Sequence, residues 1–150
     1  MNPEECKQGC CGVSRRRTVS DCFDRGLRRN RLEPFALAGE TLRDTNGLEA
    51  RFSLKIEDGL IAAVRFRVTS CVALVAYSEL LAEEAEKLSL GSALAISPQT
   101  LIADLEGVPL FRRDRANLAV ASLRSAITHA TLQQSGAPDE SCLHLRHATA

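Results

Sequence analysis

The feature that constrains this chain most is an alternating stretch that leads directly into a helical one. Apolar residues alternate with polar ones at Leu48, Ala50, Phe52, Leu54 and Ile56. This period of two predicts a strand with one buried face. Asp58-Gly59 then supplies the positive φ angles of a tight hairpin turn. A second strand is predicted over residues 61–68, and its buried face is expected to comprise Ala62, Val64, Phe66 and Val68.

The period changes at Cys71, where the second strand meets the following helix. From this residue the apolar positions follow helical spacing, and the solvent side is expected to carry Glu79, Glu83, Glu84 and Glu86. The first turn of a helix has unpaired main-chain N–H groups and a partial positive charge. A thiolate at Cys71 is stabilised there, which makes this residue a candidate nucleophile or metal ligand. The alternative is a small buried hydrophobic residue.

The composition is that of an ordinary globular protein. The chain has 150 residues, enough for one domain with a substantial core. Lys+Arg and Asp+Glu number 19 each, so a general nucleic-acid-binding surface is not expected. No apolar run reaches membrane-spanning length, and the start of the chain lacks the apolar region of a signal peptide. We therefore expect a cytoplasmic protein, whose six cysteines are ligands or reactive thiols.

Two cysteine-bearing segments flank the predicted domain. Residues 1–19 are expected to form a flexible tail rich in Cys and Arg, residues 20–132 the domain, and residues 133–150 a second flexible tail. The possible accessory metal ligands in these tails are Cys6, Cys10, Cys11, Cys142, His144 and His147. Closely spaced thiols and imidazoles can bind zinc or iron. Unused thiols are the alternative, because the spacing matches no standard zinc or ferredoxin pattern.

An arginine-rich helix is predicted before the hairpin. Ser20 or Asp21 can cap it, and it would run to about residue 31. The arginines between residues 15 and 31 suit an acidic partner or a nucleic acid, or they form a solvated helix face. Nucleic-acid binding is not expected, because the aromatic residues that stack on bases make up only 4% of the chain.

Helices are predicted after the hairpin. Residues 89–96 favour a short helical turn, and Ser97-Pro98 begins another helix. A last helix is predicted from about residue 113 to residue 132, before Gly136-Ala137-Pro138 ends the fold. Strands followed by helices predict an α+β fold, in which a small antiparallel sheet with a central β-hairpin has helices packed on one face.

The order of these segments resembles a known family. The run GLIAAVRFRVTSC at residues 59–71 is similar to the second half of the hairpin in NifU/IscU-type iron–sulfur cluster assembly scaffolds. In those proteins a strand that ends in an Arg-Phe pair leads to a cysteine at a helix N-terminus. Further similar runs are SELLAEE at 78–84, LGSALAI at 90–96, LIADL at 101–105 and AVASLRSAI at 119–127. The resemblance covers most of residues 21–130 and implies the scaffold fold.

The resemblance also implies a metal site, but this chain has other residues at most of the family's ligand positions. The scaffolds bind a 2Fe–2S cluster or a zinc ion through three cysteines, helped by an aspartate and sometimes a histidine. The middle cysteine corresponds to Cys71, whereas the first cysteine corresponds to Asn46 and the aspartate to Leu48. The His-Cys pair that opens the last helix corresponds to Asp114 and Arg115. Asp114 offers oxygen to a harder metal, but the fixed cation of Arg115 repels iron, so we expect a degenerate cluster site.

A second family feature is the loop before the last helix. In IscU-type members a Leu-Pro-Pro-Val-Lys segment binds a dedicated Hsp70-type chaperone. The corresponding run in this chain is Val108, Pro109, Leu110, Phe111 and Arg112. An exposed apolar loop of this kind suits peptide recognition. The alternative is a connecting loop whose Phe111 is buried in the core.

The resemblance leaves two functions open. In the first, the chain is a divergent scaffold or carrier that binds iron or an Fe–S cluster through Cys71, with sulfur from a cysteine desulfurase and further ligands from the tails or a second subunit. In the second, it is a cluster-free binding or regulatory module that contacts a desulfurase, a chaperone or a client protein. Enzymatic activity is not expected, because His129, His144 and His147 have no evident nucleophilic partner.

Overall fold

One helix, four strands and then four helices follow one another along residues 17–146, the part of the chain that this computed structural model describes. Side chains are described as far as residue 134. In chain order the elements are α1 (Val19–Arg29), β1 (Leu37–Ala38), β2 (Leu42–Arg43), β3 (Glu49–Glu57), β4 (Leu60–Val68), α2 (Val72–Ala85), α3 (Leu90–Leu94), α4 (Pro98–Asp104) and α5 (Arg115–Arg146). A 3₁₀ turn, Leu110–Arg112, precedes α5. The predicted α+β fold is confirmed.

The sheet is antiparallel and centred on β3, which pairs with each of the other three strands. Ala50, Phe52 and Leu54 of β3 are buried as predicted. Ser53, which the alternation places on the solvent face, is buried too, and its Oγ accepts from the main-chain N of Phe35 at 3.0 Å. On β4 the prediction for Ala62 is wrong, because Ala62 is exposed and Ile61 is buried instead. The pairing shifts by one residue between Lys55 and Ile56, and such a bulge reverses the side-chain alternation beyond it.

The α2 helix is central to the fold and packs against α1, β4 and α5. Eleven of its residues are buried. The prediction that Glu79 faces solvent is wrong, because α1 covers this side of α2 and leaves Glu79 only 2% exposed. The predicted start of α1 is also wrong: Thr18 is the N-cap and accepts a hydrogen bond from the main-chain N of Asp21, so Ser20 and Asp21 lie inside the helix.

The arginines of α1 pair with the glutamates of α2. Arg29 Nε lies 2.7 Å from Glu79 Oε1, and Arg29 Nη1 lies 2.8 Å from Glu86 Oε2. Arg25 Nε lies 2.7 Å from Glu83 Oε2. The sequence left three roles open for these arginines: binding an acidic partner, binding a nucleic acid, or forming a solvated helix face. Arg25 and Arg29 bind an acidic partner, which is the α2 helix of the same chain.

The buried carboxyl group of Glu79 binds its proton more tightly than an exposed glutamate does. Burial, with a hydrogen bond that protonated Glu79 donates to Glu83, raises the pKa of Glu79 to about 7 against the opposing hydrogen bond and charge of Arg29. Burial alone would lower the pKa of Arg29, but its hydrogen bonds and charge interactions with Glu79 and Glu86 raise it. Because the pKa of Glu79 lies above its usual 4.5, the folded state binds more protons than the unfolded state between these two values. Its contribution to the free energy of unfolding therefore falls as the pH rises through that window.

The first and last helices extend beyond their predicted limits. Val19, predicted as part of the tail, donates its main-chain N–H to Glu106 O at 2.8 Å, so the folded part includes it. The prediction that the last helix ends near residue 132 is wrong, because α5 continues to residue 146. It passes through Pro138, whose ring removes one main-chain hydrogen bond without ending this long helix. The predicted helix start at Ser97 is confirmed, since Ser97 Oγ accepts a hydrogen bond from the main-chain N of Thr100. Ser89 caps α3 in the same way by accepting from the main-chain N of Ser92. Among the described residues, no helix has both the length and the apolar character needed to cross a membrane.

Gly39 lies between β1 and β2, where the chain touches α5. A Cβ at this position would lie 2.5 Å from the main-chain N of Ala126 and 2.8 Å from its Cα, both of which a helix holds in place. We expect Gly39→Ala to lower the free energy of unfolding by about 1–3 kcal/mol, measured by urea denaturation. Gly91→Ala is the matched control, because beyond the adjacent residues and the backbone of its own helix no described atom lies within 4 Å of the added Cβ. Equal losses from both variants would contradict the packing argument.

Candidate functional site

The site lies at one end of the hairpin, where β3 begins, β4 ends and α2 starts. The main-chain N of Glu49 donates to Thr69 Oγ1 at 2.8 Å, and the main-chain N of Thr69 donates to Glu49 O at 2.9 Å. These bonds hold the end of β4 beside the start of β3. Cys71, two residues further on, is therefore held close to the turn that precedes β3.

Cys71 is the N-cap of α2, as predicted from the change of period. Its main-chain O accepts from Val75 N at 2.9 Å, which begins the helix, while its side chain makes no capping hydrogen bond. The thiol is half-buried, and the following Val72 is 48% exposed. This thiol is partly accessible and does not cap the helix, so it is available to act as a nucleophile or as a metal ligand.

The other cysteine with a described side chain, Cys22 in α1, is completely buried. Burial raises the pKa of this thiol to about 11, although the charge of Arg25 opposes the effect. Cys22 therefore stays protonated at neutral pH and is a poor nucleophile. Of these two thiols, only Cys71 is placed for chemistry.

Arg115 lies beside the Cys71 thiol at the start of α5. Its Nη1 lies 2.7 Å from Asp114 Oδ1, and its side chain is only 15% exposed. The hydrogen bond to Asp114, followed by hydrogen bonding and charge interaction with Cys71, raises the pKa of Arg115. Its buried Nε has no hydrogen-bond partner among the described residues. The residue at the third-cysteine position is thus a cation close enough to interact with the remaining thiol.

Asp44 organises the turn that carries the two other changed positions. Its Oδ1 accepts from the main-chain N of Asn46 at 2.9 Å and from that of Leu48 at 3.0 Å. Asn46 is exposed, whereas Leu48 packs against the core. Asp44 and Asp114 line the same surface hollow of about 500 Å³. The sequence analysis did not name Asp44 as a site residue. The sequence Asp-Thr-Asn-Gly at residues 44–47 is typical of a turn in which the first aspartate accepts main-chain hydrogen bonds, and this pattern could have indicated it.

The loop before α5 is exposed at its tip and buried at its start. Val108 is 3% exposed and fills the core, whereas Leu110 is 69% and Phe111 74% exposed. The guanidinium of Arg112 lies over the Phe111 ring at 5.3 Å from its centroid. The alternative in which Phe111 is buried is therefore wrong, because the 3₁₀ turn after Pro109 directs the next two side chains away from the core.

A surface hollow of about 820 Å³ lies between α1 and α2. Its lining does not include Cys71. Charged side chains that pair with one another line it, including Arg17 and Glu84 at 2.7 Å. Because these charged groups already pair with one another, we do not consider this hollow a candidate functional site.

Comparison with known proteins identifies the family. The family model of the NifU-like N-terminal domain matches residues 16–135. This chain belongs to that family. The resemblance in the sequence is confirmed, and membership supports a general role as an iron–sulfur cluster assembly scaffold.

Several solved structures are similar to this NifU-like domain at low sequence identity. A proposed iron–sulfur cluster assembly scaffold protein for the SUF system, from thermophilic Fervidobacterium islandicum AW-1, is 12% identical with a TM-score of 0.41, covering 71% of this chain and 91% of that one. A nitrogen-fixing NifU-like protein (N-terminal) from Brucella abortus is 16% identical with a TM-score of 0.37, covering 88% and 99%. A hypothetical protein is 16% identical with a TM-score of 0.40, covering 73% and 89%. No curated protein matches the chain.

The described residues of this NifU-like domain do not form a three-thiolate site. Between residues 17 and 134, no group of three or more His, Cys, Asp or Glu side chains is close enough to hold a metal ion. Cys71 is the single thiol at the site, and the neighbouring guanidinium would repel a cation. The proposed accessory ligands Cys6, Cys10, Cys11 and His147 lie outside the described residues. Cys142 and His144 lie on the α5 backbone, with side chains beyond the described ones.

Proposed function

We propose that this NifU-like chain acts in iron–sulfur cluster assembly as a binding module that brings a partner to Cys71, without building a cluster on residues 17–134 and without a catalytic role. The observation that carries the proposal is the position of Arg115. It stands where the resemblance implies the third cysteine, and it interacts with the thiol that remains.

The charge of the site supports this proposal. Iron–sulfur clusters in proteins are held mainly by thiolates, whose negative charge offsets that of the iron. An arginine side chain is always protonated, so Arg115 removes one thiolate and adds one positive charge at the same position. A metal ion at this position would therefore meet one thiol and a fixed positive charge, which disfavours its binding.

The surface around the site supports partner binding. Leu110 and Phe111 are exposed only a few residues before Arg115, so a protein bound to this loop would lie close to Cys71. Exposed aromatic and aliphatic side chains are typical anchors of protein interfaces. By family resemblance the partner is a cysteine desulfurase, an Hsp70-type chaperone or a client protein.

The second candidate function is a divergent carrier that binds iron or a cluster through Cys71 with ligands from the tails or another subunit. The accessible position of the thiol at the start of α2 favours it. The two functions are distinguished by purifying the wild type and Cys71→Ala anaerobically and measuring iron, zinc and acid-labile sulfide. We expect no stoichiometric metal or sulfide in either protein. Iron and sulfide that disappear in Cys71→Ala would overturn the binding-module proposal in favour of the carrier.

The exposed loop gives a direct test of partner binding. We expect Phe111→Ser to weaken binding to a cysteine desulfurase or an Hsp70-type chaperone by about tenfold or more, because an interface would lose its aromatic anchor. The free energy of unfolding should change by less than about 0.5 kcal/mol, because Phe111 makes few contacts with the core. Calorimetric titration and urea denaturation measure the two quantities.

Leu132→Ser is the matched control for this experiment. Leu132 is 62% exposed on α5, so the substitution also removes an exposed apolar side chain but lies outside the loop. Binding by the Leu132→Ser variant should equal that of the wild type, and Cys71→Ala should also bind normally. Equal affinities for Phe111→Ser and the wild type would remove the loop from the proposal.

A further inference from the structure

Two arginines on the β3–β4 hairpin lie directly opposite each other. The strand register pairs Arg51 with Arg67, and both side chains are exposed. Like charges at directly opposed positions of two strands destabilise a sheet. Among the described residues, neither guanidinium forms an ion pair with a carboxylate within 4 Å. The repulsion within this pair is therefore uncompensated by the described part of the chain.

Main-chain carbonyl groups hold both guanidinium groups in place. Arg51 Nε donates to Gly39 O at 3.0 Å. Arg67 donates to Leu32 O from Nε at 3.3 Å and from Nη2 at 3.1 Å. These bonds leave both Nη groups of Arg51 and the Nη1 group of Arg67 without a partner among the described residues. Arg51 and Arg67 are thus held in place while some of their N–H groups remain available to donate hydrogen bonds to a ligand.

The two arginines line one concave surface. The hollow measures about 420 Å³, and its lining residues are Pro34, Thr41, Glu49, Arg51, Arg67, Val68 and Thr69. Thr41 adds a hydroxyl group to this lining. The one carboxylate of the lining, Glu49, accepts from Arg43 Nε at 3.0 Å, so its charge is already compensated. The hollow therefore has a net positive charge.

We propose that this hollow binds a compact phosphate group, either free or as a phosphate monoester. A carboxylate has two oxygens and a single charge, which one guanidinium can satisfy. Two guanidinium groups and a hydroxyl instead match the several oxygens and the double charge of a tetrahedral phosphate. A bound phosphate would also offset the repulsion between Arg51 and Arg67.

A nuclear magnetic resonance titration of the full chain tests this inference with inorganic phosphate and with O-phosphoserine as separate probes. We expect saturable shifts of the main-chain signals of Thr41, Arg51, Arg67 and Thr69. Arg51→Gln and Arg67→Gln should each weaken phosphate binding by about tenfold, since each removes charge-assisted hydrogen bonds. Acetate should bind more weakly than phosphate to the wild type.

Lys55→Gln is the matched control, because Lys55 lies on the same strand and is exposed but does not line the hollow. It removes the same charge and should leave phosphate affinity unchanged. Stronger binding of O-phosphoserine would identify a phosphorylated molecule as the source, and stronger binding of inorganic phosphate would identify the free ion. The proposal is overturned by the absence of saturable shifts, by an equal loss of affinity in Lys55→Gln, or by acetate binding as tightly as phosphate.

Discussion

Replacing Arg29 by methionine is expected to lower the free energy of unfolding by about 3–5 kcal/mol at about pH 8. Arg29 forms two hydrogen bonds with Glu79, from Nε at 2.7 Å and from Nη2 at 3.2 Å, and it also donates to Val64 O at 2.6 Å. Without the arginine, the almost fully buried carboxylate of Glu79 would lose its principal cationic partner. Urea denaturation of the wild type and the variant measures the difference.

The pH dependence identifies Glu79 as the cause. Well below its raised pKa of about 7 the carboxyl is protonated, so the loss in Arg29→Met should shrink as the pH is lowered towards about 5.5. Glu79→Gln removes the titrating group and should flatten the fall in wild-type stability between pH 4.5 and about 7. A fall of unchanged size in Glu79→Gln would assign that pH dependence to other groups.

Arg28→Met is the control for the arginine substitution. Arg28 is the neighbouring residue of α1, is exposed, and has no ion pair among the described residues. This variant should differ from the wild type by less than about 0.5 kcal/mol. A loss below about 1 kcal/mol in Arg29→Met would show that the pair contributes no more than a surface salt bridge.

Restoring the family's ligand residues is expected to create a zinc site at Cys71. The triple variant Asn46→Cys, Leu48→Asp, Arg115→Cys supplies three thiolates and one carboxylate and removes the cation. Because thiolates bind zinc strongly, the triple variant should bind one zinc ion at least about a hundredfold more tightly than the wild type. Competition with a chelator of known zinc affinity measures the difference.

The double variant Asn46→Cys, Leu48→Asp isolates the contribution of Arg115. It has two thiolates and the carboxylate but keeps the guanidinium beside Cys71. We expect zinc affinity close to that of the wild type, because the cation remains at the site. Tight zinc binding by the double variant would show that Arg115 does not block the site. Loss of zinc from the triple variant on adding Cys71→Ala would confirm that the new site includes Cys71.

Local signals in the sequence determined much of the fold. The strand β3, the Asp58-Gly59 turn and the helix caps Ser89 and Ser97 depend on residues close in sequence, and the structure contains all of them. The change of period at Cys71 likewise located the start of α2. The family resemblance, which rests on the order of such segments, was also visible in the sequence and was confirmed by the family model.

Tertiary structure decided the burial and pairing of individual side chains. The bulge that exposes Ala62, the burial of Glu79 under α1 and the exposure of Phe111 each depend on contacts between distant segments. Glu79 is 50 residues from Arg29 in sequence, and no local pattern indicates that the two pair. Cys71 and Arg115 are likewise far apart in sequence, and no local pattern indicates that they interact. Periodicity shows which residues share a face of a strand or helix, but the packing of the other elements decides whether that face meets solvent, a charge or the core.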